Sequence, residues 1–200
     1  MILADKLYGL VLSGGKSTRM GKDKGLLDYH GTPQRGYTYN LLSQVCDETF
    51  LSIRKNQADE IPNDFKTILD EDEFKGPFNG ILSAHKKHPK VAWLVLACDM
   101  PLMSVEALQE LIAARNPNKL ATAFALKENP LPEPLAAIWE ANSLSLAIDF
   151  MQSQLGTCPR KFLIHNDAQL VFPTNENVVL NANSEADYLE ALKIVAANER

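Results

Sequence analysis

The sequence predicts an α/β fold in three α/β/α layers, a mostly parallel sheet held between helices. Two observations carry that expectation. Apolar runs of strand length alternate with stretches whose apolar residues recur at helical spacing, which is the pattern of a parallel sheet covered by helices. The most apolar run, residues 91–97 (VAWLVLA), contains no polar residue, as a central strand buried on both faces requires.

Taken in order, residues 8–12 (YGLVL) are the first short apolar run and read as the first strand. Across residues 33–45, Tyr37, Leu41, Leu42 and Val45 fall on one helical face. Residues 49–53 (TFLSI) read as a strand and 57–64 as a polar loop with one proline. A third short strand, 66–69, ends at Asp70. Gly76-Pro77-Phe78-Asn79-Gly80 is a turn leading into a helix over 81–87. The strand at 91–97 runs into Cys98-Asp99-Met100-Pro101, and a helix follows over 105–114. The second half is less regular. Residues 120–126 read as a strand, and Pro130, Pro132 and Pro134 interrupt the chain. The apolar run at 135–139 resumes it, and 142–155 reads as a helix. Short strands are expected at 161–164 and 178–180. A last helix is expected over 184–196, with Ser184 as N-cap and Asp187 three residues on.

Composition narrows the classes. Two hundred residues suffice for one sizeable core, and no shift in composition marks a linker, so a single domain over 1–200 is expected. Hydrophobic residues make up 46% and charged residues 22%, an ordinary globular balance. The net charge of −5 argues against a nucleic-acid partner. Cys46, Cys98 and Cys158 are odd in number and widely spaced, so neither a disulfide framework nor a zinc site is suggested. Residues 1–6 lack the apolar core of a signal peptide, and no apolar run approaches ~18 residues. A cytoplasmic protein with no membrane partner is the expectation.

Chemistry concentrates in residues 10–25 (LVLSGGKSTRMGKDKG), where the first strand breaks into glycines followed by Lys16, Arg19, Lys22 and Lys24. Glycines let backbone N–H groups approach a ligand, and the cations favour an anionic one: this is the composition of a polyphosphate cradle. It is not a P-loop. That pattern needs a glycine five positions before Gly15, where Leu10 stands. Nor is it a dinucleotide fingerprint, because the glycines are adjacent. Ligands of open α/β sheets bind beyond the carboxyl ends of the strands. The glycine-rich loop, Asp70 and Asp99 all fall at such ends, and convergence of these three is expected.

The loop fits L-x-G-G-x-S-x-R-M-G-x-D-K-x-L through Leu12, Gly14, Gly15, Ser17, Arg19, Met20, Gly21, Asp23, Lys24 and Leu26. On these residues the chain resembles the molybdenum cofactor guanylyltransferase (MobA-like) family. Gly76-Pro77-Phe78-Asn79-Gly80 resembles that family's G-P-x-x-G, and Cys98-Asp99-Met100-Pro101 its C-D-x-P. Glu133-Pro134-Leu135 and Asn181-Ala182-Asn183-Ser184 resemble its later segments. The resemblance implies a Rossmann-like fold of the nucleotide-diphospho-sugar transferase type. It divides the chain into a nucleotide-binding half, residues 1–130, and an acceptor-side half, residues 131–200. It places Leu12, Ser13, Gly14, Gly15, Lys24, Asp70 and Asp99 on the nucleotide, with Mg2+ on Asp99. Arg54 stands where the family's nucleotide-contacting asparagine is expected, and Ser13 replaces a usual alanine.

The implied reaction moves GMP from GTP onto the phosphate of molybdenum-molybdopterin and releases pyrophosphate. Arg19, Lys24 and Asp99 would carry catalysis, mostly by positioning and charge stabilisation. GTP and a molybdopterin-type acceptor are the implied ligands. Other cofactor-biosynthesis proteins or apo-molybdoenzymes are the implied partners. The acceptor phosphate, with a second pKa of ~6, is already ionised at pH 7, so no general base is needed. His30, His85, His88 and His165 indeed fall in none of these motifs. His85 and His88 are spaced for a shared metal, but Lys86 and Lys87 between them suggest an exposed face. Rival readings are a cytidylyltransferase of the same cofactor, a sugar-1-phosphate nucleotidyltransferase, and a nucleotide-binding regulatory module without catalysis.

Overall fold

The computed structural model describes residues 6–13, 23–74, 76–152 and 157–198. Its centre is a sheet of seven strands: β1 (Leu7–Leu12), β2 (Glu48–Ile53), β3 (Thr67–Leu69), β4 (Ala92–Ala97), β5 (Ala121–Phe124), β6 (Ala136–Trp139) and β7 (Gln169–Val171). They lie in the order β3-β2-β1-β4-β6-β5-β7. Among them only β6 runs against its neighbours, pairing antiparallel with both β4 and β5, so the sheet is mostly parallel, as expected.

Strand periodicity builds the layers. Along β4, Ala92, Leu94 and Leu96 enter one core while Trp93 and Val95 enter the other. β6 does the same with Ala136 and Ile138 against Ala137 and Trp139. Successive side chains of a strand point to opposite faces, so an all-apolar strand feeds two cores. Helices α1 (Gln34–Ser43) and α3 (Val105–Ala113) cover the first face through Leu41, Leu42, Leu108 and Leu111. Helices α2 (Pro77–Lys87), α4 (Ala141–Gln152) and α5 (Pro159–His165) cover the second through Phe78, Ile81, Leu82, Leu144 and Phe162. Gly9 sets the depth of α1: a Cβ there would stand 2.9 Å from Leu42 Cβ. Helix α6 (Glu185–Asn198) packs apart, around Ala182, Ala191 and Tyr29. Ser184 Oγ accepts the Asp187 N–H at 3.2 Å and Asp187 Oδ2 accepts the Ser184 N–H at 2.8 Å, the reciprocal cap the sequence suggested. None of the described helices is long and apolar enough to cross a membrane.

Four local expectations are corrected. Residues 161–164 are part of α5, because Pro159 starts a helix that buries Phe162 and Leu163. Residues 178–180 fall at the end of a 3-10 turn, Glu176–Val179, capped by the Asn175 side chain. The loop expected at 57–64 begins inside a 3-10 turn, Lys55–Glu60. Helix α2 starts at Pro77, four residues early, after Gly76 at a φ of 66°, a backbone conformation that favours glycine.

Register aligns the strand ends. Leu12 lies opposite both Ser52 and Ala97, and Ile53 lies opposite Leu69. Ser13, Arg54, Asp70 and Asp99 therefore leave the sheet at one edge. With strands ~4.8 Å apart, they span about 15 Å.

Candidate active site

At that edge lies a cleft of about 510 Å3 lined by Leu12, Ser13, Lys24, Arg54, Asp70 and Asp99 among others. The structure thus brings together every proposed nucleotide-binding residue that it describes. Gly14, Gly15 and Arg19 lie outside the described residues, as do Lys16 and Lys22.

Lys24 is the cation at the centre. It opens a 3-10 turn, Lys24–Leu26, capped by Asp23, whose Oδ1 accepts the Gly25 N–H at 2.9 Å. The turn packs tightly on the end of β1, since a Cβ on Gly25 would stand 2.9 Å from Ser13 Oγ. Lys24 Nζ donates to Asp99 Oδ2 at 3.2 Å and to Asn183 Oδ1 at 2.7 Å. A lysine ammonium has three donors, so one has no partner among the described residues. Asp99 is fixed by its backbone, whose carbonyl accepts the Ala182 N–H at 2.8 Å. Its Oδ1 is buried and has no hydrogen-bond partner among the described residues. An unpaired buried carboxylate oxygen is costly, so it marks a position where a ligand would be held. Among the described residues, no group of three or more His, Cys, Asp and Glu side chains is poised around a metal ion.

Asp70 leaves β3 with its N–H on the Ile53 carbonyl at 2.9 Å. Ser52 Oγ donates to Asp70 Oδ1 at 2.5 Å. The first turn of α2 closes over this pair because residue 80 has no side chain. A Cβ on Gly80 would come within 2.3 Å of Ser52 Oγ and 2.9 Å of Leu12 Cδ2. The acidic run after β3 divides its labour: Asp70 and Asp72 line the cleft, whereas Glu71 and Glu73 pair with Lys86. Arg54 leaves β2 as the cap of the Lys55–Glu60 turn. Its Nε is buried without a partner among the described residues.

Burial holds the Asp70 carboxyl above its ordinary value, with the Ser52 hydrogen bond and the Arg54 charge opposing the shift. The folded chain therefore binds that proton more tightly than the unfolded chain. The stability this confers is complete below the unfolded value and is lost as pH rises through the raised one. Asp70→Asn keeps an acceptor for Ser52 and removes the buried charge. Its melting temperature is expected to match wild type near about pH 3 and to exceed it by about pH 7. Thermal unfolding at both pH values checks this; a variant less stable than wild type at neutral pH would contradict it.

The histidines stand elsewhere. His85 is buried rather than on an exposed face, with Nε2 3.4 Å from Ser145 Oγ. His88 packs against Tyr8, Phe50 and Trp93. No histidine lines the cleft among the described residues. Sequence reasoning missed Ser52 and Asp23 as residues of the cleft lining, and Gln57, whose amide bonds to Ser13 and Asp23 behind it. Ser52 faces inward within an apolar strand and Gln57 lies in a polar stretch, so neither carried a signal. Asn183, in the segment that resembles the family's late motif, accepts from Lys24 Nζ at 2.7 Å.

A molybdenum cofactor biosynthesis bifunctional protein of Synechocystis sp. is 40% identical over 185 residues, which are 91% of this chain and 52% of that protein. The chain thus spans about half the length of that relative. A molybdenum cofactor guanylyltransferase of Ectopseudomonas mendocina is 30% identical over 146 residues, 68% of this chain and 73% of that protein. The crystal structure of molybdopterin-guanine dinucleotide biosynthesis protein A from Archaeoglobus fulgidus shares the fold, with a TM-score of 0.80 at 20% identity over 95% of this chain and 99% of that one. The nucleotide-diphospho-sugar transferase fold that the resemblance implied is therefore the fold observed. The family model of the MobA-like NTP transferase domain matches residues 9–169, and the chain belongs to that family.

Proposed function

We propose that this chain is a nucleotidyltransferase that moves GMP from GTP onto the phosphate of molybdenum-molybdopterin. The observation that carries the reading is the meeting of Lys24, Asp70 and Asp99 in one cleft, in a chain of this family. An acceptor phosphate oxygen attacks the α-phosphorus of GTP. The bond from that phosphorus to the bridging oxygen breaks, and pyrophosphate leaves with the electron pair. The products are pyrophosphate and the guanine dinucleotide form of the cofactor. The nucleophile is already a dianion at about pH 7, so the chain removes no proton.

Its residues bind, orient and neutralise. The free donor of Lys24 reaches a phosphate oxygen while Asp99 and Asn183 fix the ammonium. Asp70 and Arg54 lie on the β2–β3 side of the cleft and hold the nucleoside end. Asp99 would hold Mg2+: its buried Oδ1, without a partner among the described residues, is the hard oxygen donor that ion takes, with the remaining positions left to phosphate and water. Bound there, Mg2+ would offset charge on the phosphate oxygens. The cytoplasm is the compartment this reading implies, and other cofactor-biosynthesis proteins or apo-molybdoenzymes are the partners.

A thermal-shift panel of GTP, CTP, UTP and ATP with Mg2+ tests base choice, because a ligand of the folded state raises its melting temperature. GTP is expected to give the largest shift and the fastest pyrophosphate release with molybdenum-molybdopterin. A larger shift and faster turnover with CTP would make the chain a cytidylyltransferase, with Arg54 the first residue to change. Turnover with a sugar 1-phosphate instead of the pterin would move the acceptor assignment.

A further inference from the structure

Gln57 sits on the turn after β2 and is 3% exposed, deeper than any other polar residue of that turn. Both ends of its side-chain amide are engaged. Oε1 accepts the Arg54 N–H at 3.0 Å. Nε2 donates to the Ser13 carbonyl at 3.4 Å and to Asp23 Oδ2 at 3.1 Å. Ser13 and Asp23 are the residues that flank the 14–22 segment. One carboxamide from a different part of the chain therefore ties both. Asp23 in turn caps the turn that opens with Lys24, so the amide fixes the base from which the Lys24 ammonium projects.

We infer that Gln57 is a positioning residue for the triphosphate: it sets the separation of Ser13 from Lys24 and so aligns the phosphate-binding side of the cleft. The inference rests on the nucleotide-binding reading above. It concerns the phosphate side alone, because the Gln57 oxygen serves Arg54 while its nitrogen serves Ser13 and Asp23. Gln57→Glu separates these roles. A carboxylate still accepts from Arg54 N–H, but it has no donor for Ser13 or Asp23 and faces the Asp23 carboxylate with like charge. Combining Gln57→Glu with Asp23→Asn reverses the polarity of the bond. The amide introduced at position 23 donates to the carboxylate introduced at position 57, while its oxygen still accepts from the Gly25 N–H.

The experiment is calorimetric titration of wild type, the single variant and the double variant with Mg-GTP and with guanosine, alongside melting temperatures. Gln57→Glu is expected to weaken GTP about tenfold or more, the scale of one lost hydrogen bond to a charged group. Guanosine should change by less than about twofold, and the double variant, which restores the tie to position 23 but not the one to the Ser13 carbonyl, should recover part of the GTP loss. A merely structural role would weaken both ligands together and would not be rescued by swapping donor and acceptor. Wild-type GTP affinity in Gln57→Glu, equal loss of both ligands, or no recovery in the double variant would each overturn the inference. If Gln57→Glu does not fold, Asp23→Asn alone carries the test: it weakens the same bond and should show a loss confined to GTP, and parallel loss of both ligands would overturn the inference. Titration of the wild type with the four triphosphates separates the two ideas. Binding of none would overturn the nucleotide reading and this inference with it. GTP binding that Gln57→Glu and Asp23→Asn leave untouched would overturn this inference alone.

Discussion

Asp99→Ala is expected to lower Mg-dependent pyrophosphate release by at least about 10^3-fold, roughly 4 kcal/mol of transition-state stabilisation, with the fold intact. The fold survives because the main chain does the structural work. The Asp99 carbonyl, which alanine retains, accepts from Ala182 N–H, and β4 is held by its own apolar side chains on both faces. The ion pair with Lys24 is part-exposed, the two side chains being 19% and 20% accessible, so its loss should cost at most about 1 kcal/mol of stability. What disappears is the carboxylate of a cleft-lining residue whose buried Oδ1 has no partner among the described residues. Steady-state release assays beside thermal unfolding test this. Activity near wild type would remove Asp99 from the reaction, and a collapsed melting temperature would recast it as structural.

Lys24→Ala should cost about 2.7–4 kcal/mol, or roughly 10^2–10^3 in rate, the usual scale for a single preorganised charge-stabilising donor. The ammonium is preorganised because Asp99 and Asn183 hold it before any ligand arrives. Lys16→Ala should cost at least about tenfold less, since position 16 is a variable position of the loop pattern. Equal losses at both positions would show that the wrong lysine had been aligned with the phosphate. Because Lys24 and Asp99 touch, their double variant should fall well short of the sum of the single losses, and kinetics of all three proteins measure that coupling.

Legibility followed length and uniformity of pattern. The run at 91–97 is long and wholly apolar, and it became β4. The register of β1 with β2 and β4 was not readable, since strands of equal length can pair with any offset. That Asp70 and Asp99 meet in one cleft was readable because each follows a strand, and the carboxyl ends of parallel strands lie together. The run at 161–164 was too short to distinguish helix from strand, and Pro159 decided it. The direction of β6 was not readable. An apolar run after three prolines carries no mark of whether it lies parallel or antiparallel to β4. Gln57 was invisible for another reason. Its importance comes from where its amide ends up, beside Ser13 and Asp23, and nothing in a polar stretch records a tertiary contact.

The contact between the 182–183 segment and Asp99 has a consequence for synthesis. All seven strands of the sheet lie before residue 172, so the sheet can pair while residues 182 and 183 are still within the ribosome. Until Ala182 and Asn183 emerge, the Asp99 carbonyl and the Lys24 ammonium each lack a partner they have in the finished molecule. At translation rates of about 5–20 residues per second, the short stretch between the end of β7 and residue 182 takes about 0.5–2 seconds. A chain arrested in it would hold its core and an incompletely fixed Lys24. The fixed position of Lys24 is thus acquired after the sheet, and a product truncated before residue 182 would keep all seven strands and lack the Asn183 bond to Lys24.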